Sequence, residues 1–428
     1  MFRIILFVAS VVFVFTTAAA ASDAALSAYE SHDYARAFSI WQQRAEGDDS
    51  AAQFHLGYMY YKGQGVGQDN HQAMVWFRKA ADDGQVDAEF YLAVMLENGR
   101  GTTQDYAAAA SWYRKAADQN EWAAQINLGH MYAHGLGVSR SDAEAVKWYQ
   151  KAADQGAIGG QVHLAWMYEH GLGVQRDDAK AFDLYRKGAE RENAEAQYDV
   201  GRAYLLGIGV AQDYGQSVVW LRKAADQGFA KAQNDLGSLY EDGRGLPKAD
   251  TNEALRLYRS AADQRLATAQ VNIGAMYAKG IGVPRDYAEA IAWFRKAAAQ
   301  NDPSGQSNLG FMYANSKGVP RDEVEAASWY RKAAEQGFAE AQNSLGFMYV
   351  NGHGVERDVA QAFSWFRKAA EQSNVNAMEA LGEMYEGGVG VSKSLIEAKV
   401  WYEKAATLGD AKAKQELLAL QPASSTAH

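Results

Sequence analysis

Apolar residues recur along most of this chain at steps of three and four positions, the spacing of one face of an α-helix. A polar loop containing glycines separates these apolar residues into two sets. Near the start of the chain, the first set is Ala52, Leu56 and Tyr60, and the second set is Ala73, Trp76, Phe77 and Ala80. The pattern therefore predicts two short helices joined by a loop.

This two-helix pattern returns every 36 residues in ten copies between Asp49 and Gly409. A leucine-glycine step marks the first helix in many copies, as at Leu56-Gly57 and Leu345-Gly346. The sixth copy has one extra residue between Gly245 and Asp250, where an insertion lengthens a loop and shifts neither helix face. A regular repeat of this length is typical of a solenoid rather than of several globular domains.

Loop and cap residues repeat with the same period. Nine of the ten loops contain a Gly-x-Gly element, and the eighth has Ser316 in place of the first glycine. The second glycine is present in every copy, which suggests a close approach that a Cβ would obstruct. An aspartate or serine precedes each second helix, where its side-chain oxygen can cap free N–H groups. These predicted caps are Asp69, Asp105, Ser141, Asp177, Asp213, Asp250, Asp286, Asp322, Asp358 and Ser394.

The repeat resembles the Sel-one-like repeat family, a branch of the tetratricopeptide-type α-solenoids. The resemblance implies an all-α, right-handed superhelical solenoid of about ten 36-residue helix pairs, in which the first helices line a concave groove. Members of this family are typically adaptors that assemble complexes, and many bacterial members act in the envelope or at the host interface.

The ends of the chain depart from the repeat. We expect a signal peptide over residues 1–20, a degenerate capping helix pair over 21–48 and the ten repeats over 49–409. A closing helix over 410–420 and a disordered tail over 421–428 complete the predicted organisation.

The leader and the composition bear on location and partners. Arg3 precedes an apolar run from Ile4 to Phe15, and small residues follow at Ala18 to Ala20, the pattern of a secretory signal peptide. We expect an exported protein, periplasmic or secreted, with no transmembrane segment after cleavage; an uncleaved anchor is the alternative. The net charge of −10 argues against nucleic acid as a partner.

The sequence offers little chemistry. It contains no cysteine and none of the motifs H-E-x-x-H, G-x-S-x-G or S-x-x-K. We therefore predict a scaffold or adaptor, with no catalytic activity and no cofactor. The alternative is a hydrolase of peptidoglycan or a β-lactam that uses carboxylates of the groove. The cysteine-rich family members described as β-lactamases have paired cysteines that this chain lacks.

Two further sets of residues allow competing interpretations. His130, His134 and His170 could converge on a metal ion, but solvated groove histidines explain the pattern equally simply, and we expect no metal. Tryptophans at one phase of the second helix are predicted to be core residues: Trp76, Trp112, Trp148, Trp220, Trp293, Trp329, Trp365 and Trp401.

The predicted binding residues are first-helix positions whose identity varies while the core pattern stays constant. They lie two residues before, and two, five and six residues after, the repeat leucine. They are Phe54, Tyr58, Tyr61, Phe90, His130, His134, Trp166, Glu169, His170, Tyr198, Arg202, Glu241, Asp242, Phe311, Phe347, Glu379, Glu383 and Glu386.

This set runs from aromatic through mixed to acidic, which favours a protein or peptide partner with a basic segment. Cell-wall or polysaccharide components form a second partner class, since aromatic side chains can also stack on sugar rings. The alternative for each residue is that it lies against a neighbouring helix.

Overall fold

The computed structural model describes residues 24–420, and within that range the chain forms α-helices and no β-strand. The prediction of an all-α chain of consecutive helix pairs is confirmed. The predicted signal peptide and tail lie outside the described residues. The described helices divide into two compact units, residues 24–213 and 214–420.

The first unit begins with two helices that precede the repeats, α1 (Ala24–Glu30) and α2 (Tyr34–Glu46). The first helices of its repeats are α3 (Ser50–Lys62), α5 (Val86–Asn98), α7 (Trp122–His134), α9 (Ile158–His170) and α11 (Ala194–Leu206). The second helices are α4 (Asn70–Asp82), α6 (Tyr106–Asp118), α8 (Asp142–Asp154) and α10 (Asp178–Glu190).

The second unit begins with α12 (Tyr214–Asp226), the second helix of the fifth repeat, and ends with α23 (Ala411–Ala419). Its first helices are α13 (Ala230–Asp242), α15 (Ala267–Lys279), α17 (Pro303–Ala314), α19 (Ala339–Asn351) and α21 (Val375–Gly387). Its remaining second helices are α14 (Thr251–Asp263), α16 (Tyr287–Ala299), α18 (Glu323–Glu335), α20 (Val359–Glu371) and α22 (Leu395–Thr407).

Within each unit, helices pack on the helices next to them in the chain. Successive first helices also meet, as α7 with α9 and α15 with α17. No described helix is long and apolar enough to cross a membrane.

The central contact of a repeat joins a ring of the second helix to the leucine-glycine step of the first. In the ninth repeat Phe366 is buried against Gly346, where an added Cβ would lie 2.6 Å from the ring. Tyr149 packs on Gly129 and Phe294 on Gly274 in the same way. A larger side chain at this glycine would force the two helices apart.

The loops and caps follow their predicted roles. The second glycine of the loop approaches the first turn of the preceding second helix: a Cβ at Gly282 would lie 2.7 Å from the Thr251 Cβ. Asp250 accepts a hydrogen bond from the Glu253 N–H, and the same N-cap geometry occurs at the other caps whose hydrogen bonds the structure describes.

Polar side chains join each repeat to the next. Gln125 is fully buried and donates to the Ala117 carbonyl of the preceding second helix at 3.1 Å. Arg331 of α18 donates to the Tyr349 hydroxyl of the following first helix at 3.0 Å. Since such bonds satisfy buried polar groups only when neighbouring repeats are stacked, they favour one register between them.

The tryptophans at the repeating phase are less buried than predicted. Trp112 and Trp148 are buried, whereas the other six are partly exposed. Five of those six, Trp76, Trp293, Trp329, Trp365 and Trp401, still pack against the core. In all eight cases the lysine three residues later places its Nζ 3.5–4.4 Å from the ring centroid. The lysine stem and ammonium cover the face of the ring that the core does not.

The last second helix differs from the others at one position. Five residues after the cap, the preceding second helices carry apolar side chains, such as Phe182, Leu255 and Ile291, which are buried. The equivalent residue of α22 is Lys399, which is exposed and lies 3.8 Å from Glu403. At this one position the last helix pair is therefore charged, whereas the preceding pairs are apolar.

We expect Phe366→Ala to lower the free energy of unfolding by about 3–5 kcal/mol, because it leaves a cavity against Gly346. Trp365→Ala removes a partly exposed ring and should cost about 1–2 kcal/mol. Denaturant unfolding measures both, and hydrogen exchange should rise mainly in α19, α20 and α21. Equal losses, or a uniform rise along the chain, would contradict this account.

Candidate functional site

The predicted binding residues occupy four positions, or phases, of the repeat, and the structure divides these positions into an accessible pair and a largely packed pair. Residues two and six positions after the repeat leucine remain accessible, whereas many residues two before and five after it are packed against other helices. Two residues after the repeat leucine, Val94 is the one buried residue among the ten described repeats. We call the accessible residues at these two phases the first-helix face of each unit.

The predicted aromatic opening of the groove lies in the core. Phe54, Tyr61 and Phe90 are buried, with the Phe54 ring 5.8 Å from Phe77. Tyr91, one residue before its repeat leucine, inserts among them and meets Tyr58 edge-on at 5.5 Å. The alternative, that predicted groove residues lie against neighbouring helices, therefore applies to these three, and only Tyr58 remains partly exposed.

The glutamates five residues after the repeat leucine accept hydrogen bonds from tyrosines of the second helix. Glu169 is buried and accepts from the Tyr185 hydroxyl at 3.1 Å, and Arg202 of the next first helix donates to it at 2.7 Å. The same bond joins Glu241 to Tyr258 at 2.9 Å and Glu386 to Tyr402 at 3.0 Å.

Electrostatics agrees with a structural role for these carboxylates. Burial, and then the neighbouring glutamate, raises the pKa of Tyr258 and of Tyr402 far above the usual range, so that both hydroxyls remain protonated donors. Burial likewise raises the pKa of Tyr185. Glu97 accepts from Tyr113 at 2.6 Å in the same manner, although the sequence pattern did not identify it as a site residue.

The three histidines, whose convergence on a metal was the alternative interpretation, do not come together as a trio. The His130 and His134 rings lie 4.2 Å apart, and the His134 Nδ1 is 3.0 Å from the His130 carbonyl oxygen. His170 instead stacks on Trp166, with ring centroids 4.4 Å apart. Among the described residues no group of three histidine, cysteine, aspartate or glutamate side chains is placed to hold a metal ion.

A further histidine, His163, belongs to this region. Its ring stacks on Tyr149 at 5.0 Å. Burial, and then the charges that His130 and His134 would carry, lowers the pKa of His163 to about 4. Burial and the neighbouring His134 also lower the pKa of His130 to about 4. Both rings are therefore neutral near pH 7.

The remaining predicted residues of the first unit are less informative. Tyr198 is partly exposed on α11, and Arg202 is held by Glu169. In the second unit Asp242 is exposed and pairs with Arg244 at 2.6 Å.

Two phenylalanines dominate the first-helix face of the second unit. Phe311 of α17 is 49% exposed and Phe347 of α19 is 43% exposed, and both lie two residues after the repeat leucine. The Phe347 ring meets Phe366 edge-on at 4.9 Å, which holds it in place. Asn343, one turn before Phe347, is buried, and its Oδ1 accepts no hydrogen bond.

The acidic end of the predicted groove receives a lysine of the closing helix. Lys412 of α23 pairs with Glu379 and, at 2.7 Å, with Glu383. Hydrogen bonds to Glu379 and then Glu383 raise the pKa of Lys412 above its usual range. Glu383 remains exposed, whereas Glu379 is largely covered. Sequence reasoning missed Lys412 because α23 repeats only part of the pattern.

Comparisons with known proteins agree on the repeat. The family profile described as Sel1 repeat matches residues 50–85, 86–121, 122–156, 159–193, 194–229, 230–266, 267–302, 303–338, 339–374 and 375–410. A comparison with curated proteins finds no match.

Two solved structures are similar over most of their length. One is c5321, described as a protective antigen of uropathogenic Escherichia coli strains displaying an SLR fold. It is 33% identical, with a TM-score of 0.60, over 90% of this chain and 93% of that one. The other is a Sel1 repeat protein from Oxalobacter formigenes. It is 34% identical, with a TM-score of 0.54, over 77% of this chain and 93% of that one.

We predict that the first unit loses stability as the pH falls from about 6.5 to about 4. In this window unfolding lets His130 and His163 bind protons that the folded state excludes, so each should lower the free energy of unfolding by about 1–3 kcal/mol between pH 7 and pH 4. His163→Gln should flatten the dependence of unfolding free energy on pH. An unchanged slope in that variant, with His71→Gln as an exposed control, would refute the assignment.

Proposed function

The chain belongs to the Sel1 repeat family, and we propose that it is a non-catalytic scaffold that binds protein segments through the first-helix face of each unit. Sel1-repeat proteins bind proteins and typically act as interaction scaffolds. The proposal goes further in assigning binding to particular phases of the first helix.

One observation carries this assignment: the accessible positions two residues after the repeat leucine differ in chemistry from repeat to repeat. They include His130 and Trp166 in the first unit and Phe311, Phe347 and Glu383 in the second. Arg202, at the same position of its repeat, is instead held by the buried Glu169. The packing beneath these positions, by contrast, is nearly uniform. In most repeats the residue that follows the second-helix tryptophan is a buried aromatic ring, as at Phe77, Phe294 and Phe366. Since packing does not dictate these residues, recognition of a partner is the best account of their variety.

The carboxylates support a scaffold more than a hydrolase. A hydrolase would need an acid or base free to exchange protons with a substrate. Glu169, Glu241 and Glu386 instead accept hydrogen bonds from tyrosines, and Glu383 pairs with Lys412. The tyrosine contacts give Glu169, Glu241 and Glu386 structural roles, and the ion pair with Lys412 occupies Glu383 when no partner is bound.

We expect variants of the first-helix face to lose partners without losing structure. The bait is the chain without residues 1–23, incubated with envelope extract and analysed by mass spectrometry. Trp166→Ala and Phe311→Ala should each weaken capture of at least one partner about tenfold, because exposed aromatic residues are common energetic centres of interfaces. Circular dichroism should show unchanged helicity.

The matched controls are Val219→Ala and Val324→Ala, which remove exposed apolar side chains from second helices. They should retain every partner. If these controls lose partners while the first-helix variants keep them all, recognition belongs to the second helices and the proposed function is wrong.

We also place the protein outside the cytoplasm. The leader pattern of residues 1–20 supports this proposal, as does the similarity to a protective antigen. Deleting residues 2–20 should retain the protein in the cytoplasmic fraction, whereas the full chain should appear shortened in the periplasm or the medium. Equal distribution of both forms would contradict export.

A further inference from the structure

We propose that the first-helix face of α17, α19 and α21 binds an extended segment of a partner protein in which two apolar side chains and one basic side chain are spaced three residues apart. This inference rests on the proposed function and specifies one binding site within it. The site is formed by Phe311, Phe347, Asn343, Glu379 and Glu383.

The apolar part of the site is the pair of exposed phenylalanines. A single exposed apolar residue is ordinary on a protein surface. Phe311 and Phe347 are different because they occupy the same phase of consecutive first helices and so form one strip. Phe347 is also fixed by its edge contact with Phe366, which lowers the entropy cost of binding.

Asn343 adds an unused polar group beside this strip. It is only 9% exposed, its Oδ1 is buried without a hydrogen-bond partner, and it lies four residues before Phe347 on the same side of α19. Such a group costs stability, so it calls for an explanation. A rotation of the side chain that brings Oδ1 to the surface would let it accept a main-chain N–H of a bound segment.

Lys412, which already pairs with the acidic end of the strip, indicates that the partner carries a positive charge there. Lys412 reaches Glu383 at 2.7 Å and also pairs with Glu379, which shows that this end of the strip accepts an ammonium group. The Lys412 side chain remains 54% exposed, so it can leave when a basic side chain of a partner arrives. Exposed ion pairs of this kind are weak enough for such an exchange.

The spacing follows from the repeat. Phe311, Phe347 and Glu383 occupy equivalent positions in three consecutive first helices. If these helices have the usual separation of packed helices, about 8–10 Å, an extended chain that advances about 3.3 Å per residue passes from one to the next in about three residues. The expected pattern is apolar-x-x-apolar-x-x-basic, in either chain direction.

The test uses two fluorescein-labelled peptides, Leu-Ser-Ser-Leu-Ser-Ser-Lys and its reverse, with a scrambled peptide of the same composition. Fluorescence anisotropy with the chain lacking residues 1–23 measures binding. We expect at least one ordered peptide to bind and the scrambled peptide to bind at least about tenfold more weakly.

Variants separate the parts of the site. Phe311→Ala, Phe347→Ala and Glu383→Lys should each weaken binding about tenfold. Lys412→Ala removes the internal competitor and should tighten binding about two- to fivefold. Val324→Ala and Glu335→Lys change exposed residues of the second helix α18 and should leave the affinity unchanged.

Asn343→Leu distinguishes a binding residue from a structural one. It replaces an unpaired buried amide by an apolar side chain of similar size, so the midpoint of thermal unfolding should stay the same or rise. Peptide binding should nevertheless weaken several-fold. A lower midpoint with unchanged binding would mean that Asn343 serves only the fold.

The proposal is overturned if neither ordered peptide binds, if Phe311→Ala or Glu383→Lys binds as tightly as the parent, or if Lys412→Ala gives no gain. If the peptides fail while the parent self-associates through Phe311, the occupant is a second copy of this chain. Either failure leaves the proposed function intact provided that first-helix variants still lose partners from extract.

Discussion

The structure depends on the close approach of the two helices within a repeat, and in seven of the repeats a ring of the second helix packs directly on a glycine of the first. Phe366 on Gly346 is one example. With the helices this close, the same ring and the repeat leucine fill the interior, and the outer edge of the second helix is left for a tryptophan half covered by lysine. A helix pair still has an unburied side, so stability comes from stacking on the next pair.

The period of the sequence was sufficient to predict the helices, the caps and the loop glycines, because each depends on local chemistry that recurs every 36 residues. The binding surface was harder to predict because variation has two physical causes. The residue at position 169 depends on its partner at position 185, because Glu169 accepts a hydrogen bond from Tyr185. Position 347 varies because it is exposed and its packing permits many residues. A single residue cannot reveal which cause applies. Comparing both positions across the ten repeats would have shown that each glutamate at this phase has a tyrosine partner.

The roles of three residues, Asn343, His163 and Lys412, became visible only in the structure. Asn343 occupies a predicted phase but has ordinary polarity, and only the coordinates reveal that its Oδ1 lacks a donor. His163 lies one residue before a repeat leucine, at a position that the sequence analysis did not single out, and its neighbours become known only when α7 and α9 are placed side by side. Lys412 belongs to a partial repeat, so no periodic comparison could connect it with Glu383.

Lys399 has a consequence for how a protein of this kind can change its length. The preceding second helices present an apolar residue at that position, so any of those repeats can be followed by another copy of itself. In the tenth repeat, a further copy at this position would have to cover the ammonium group of Lys399. Duplication of an inner repeat therefore preserves the apolar contact between copies, whereas duplication of the tenth repeat would bring a lysine into that contact.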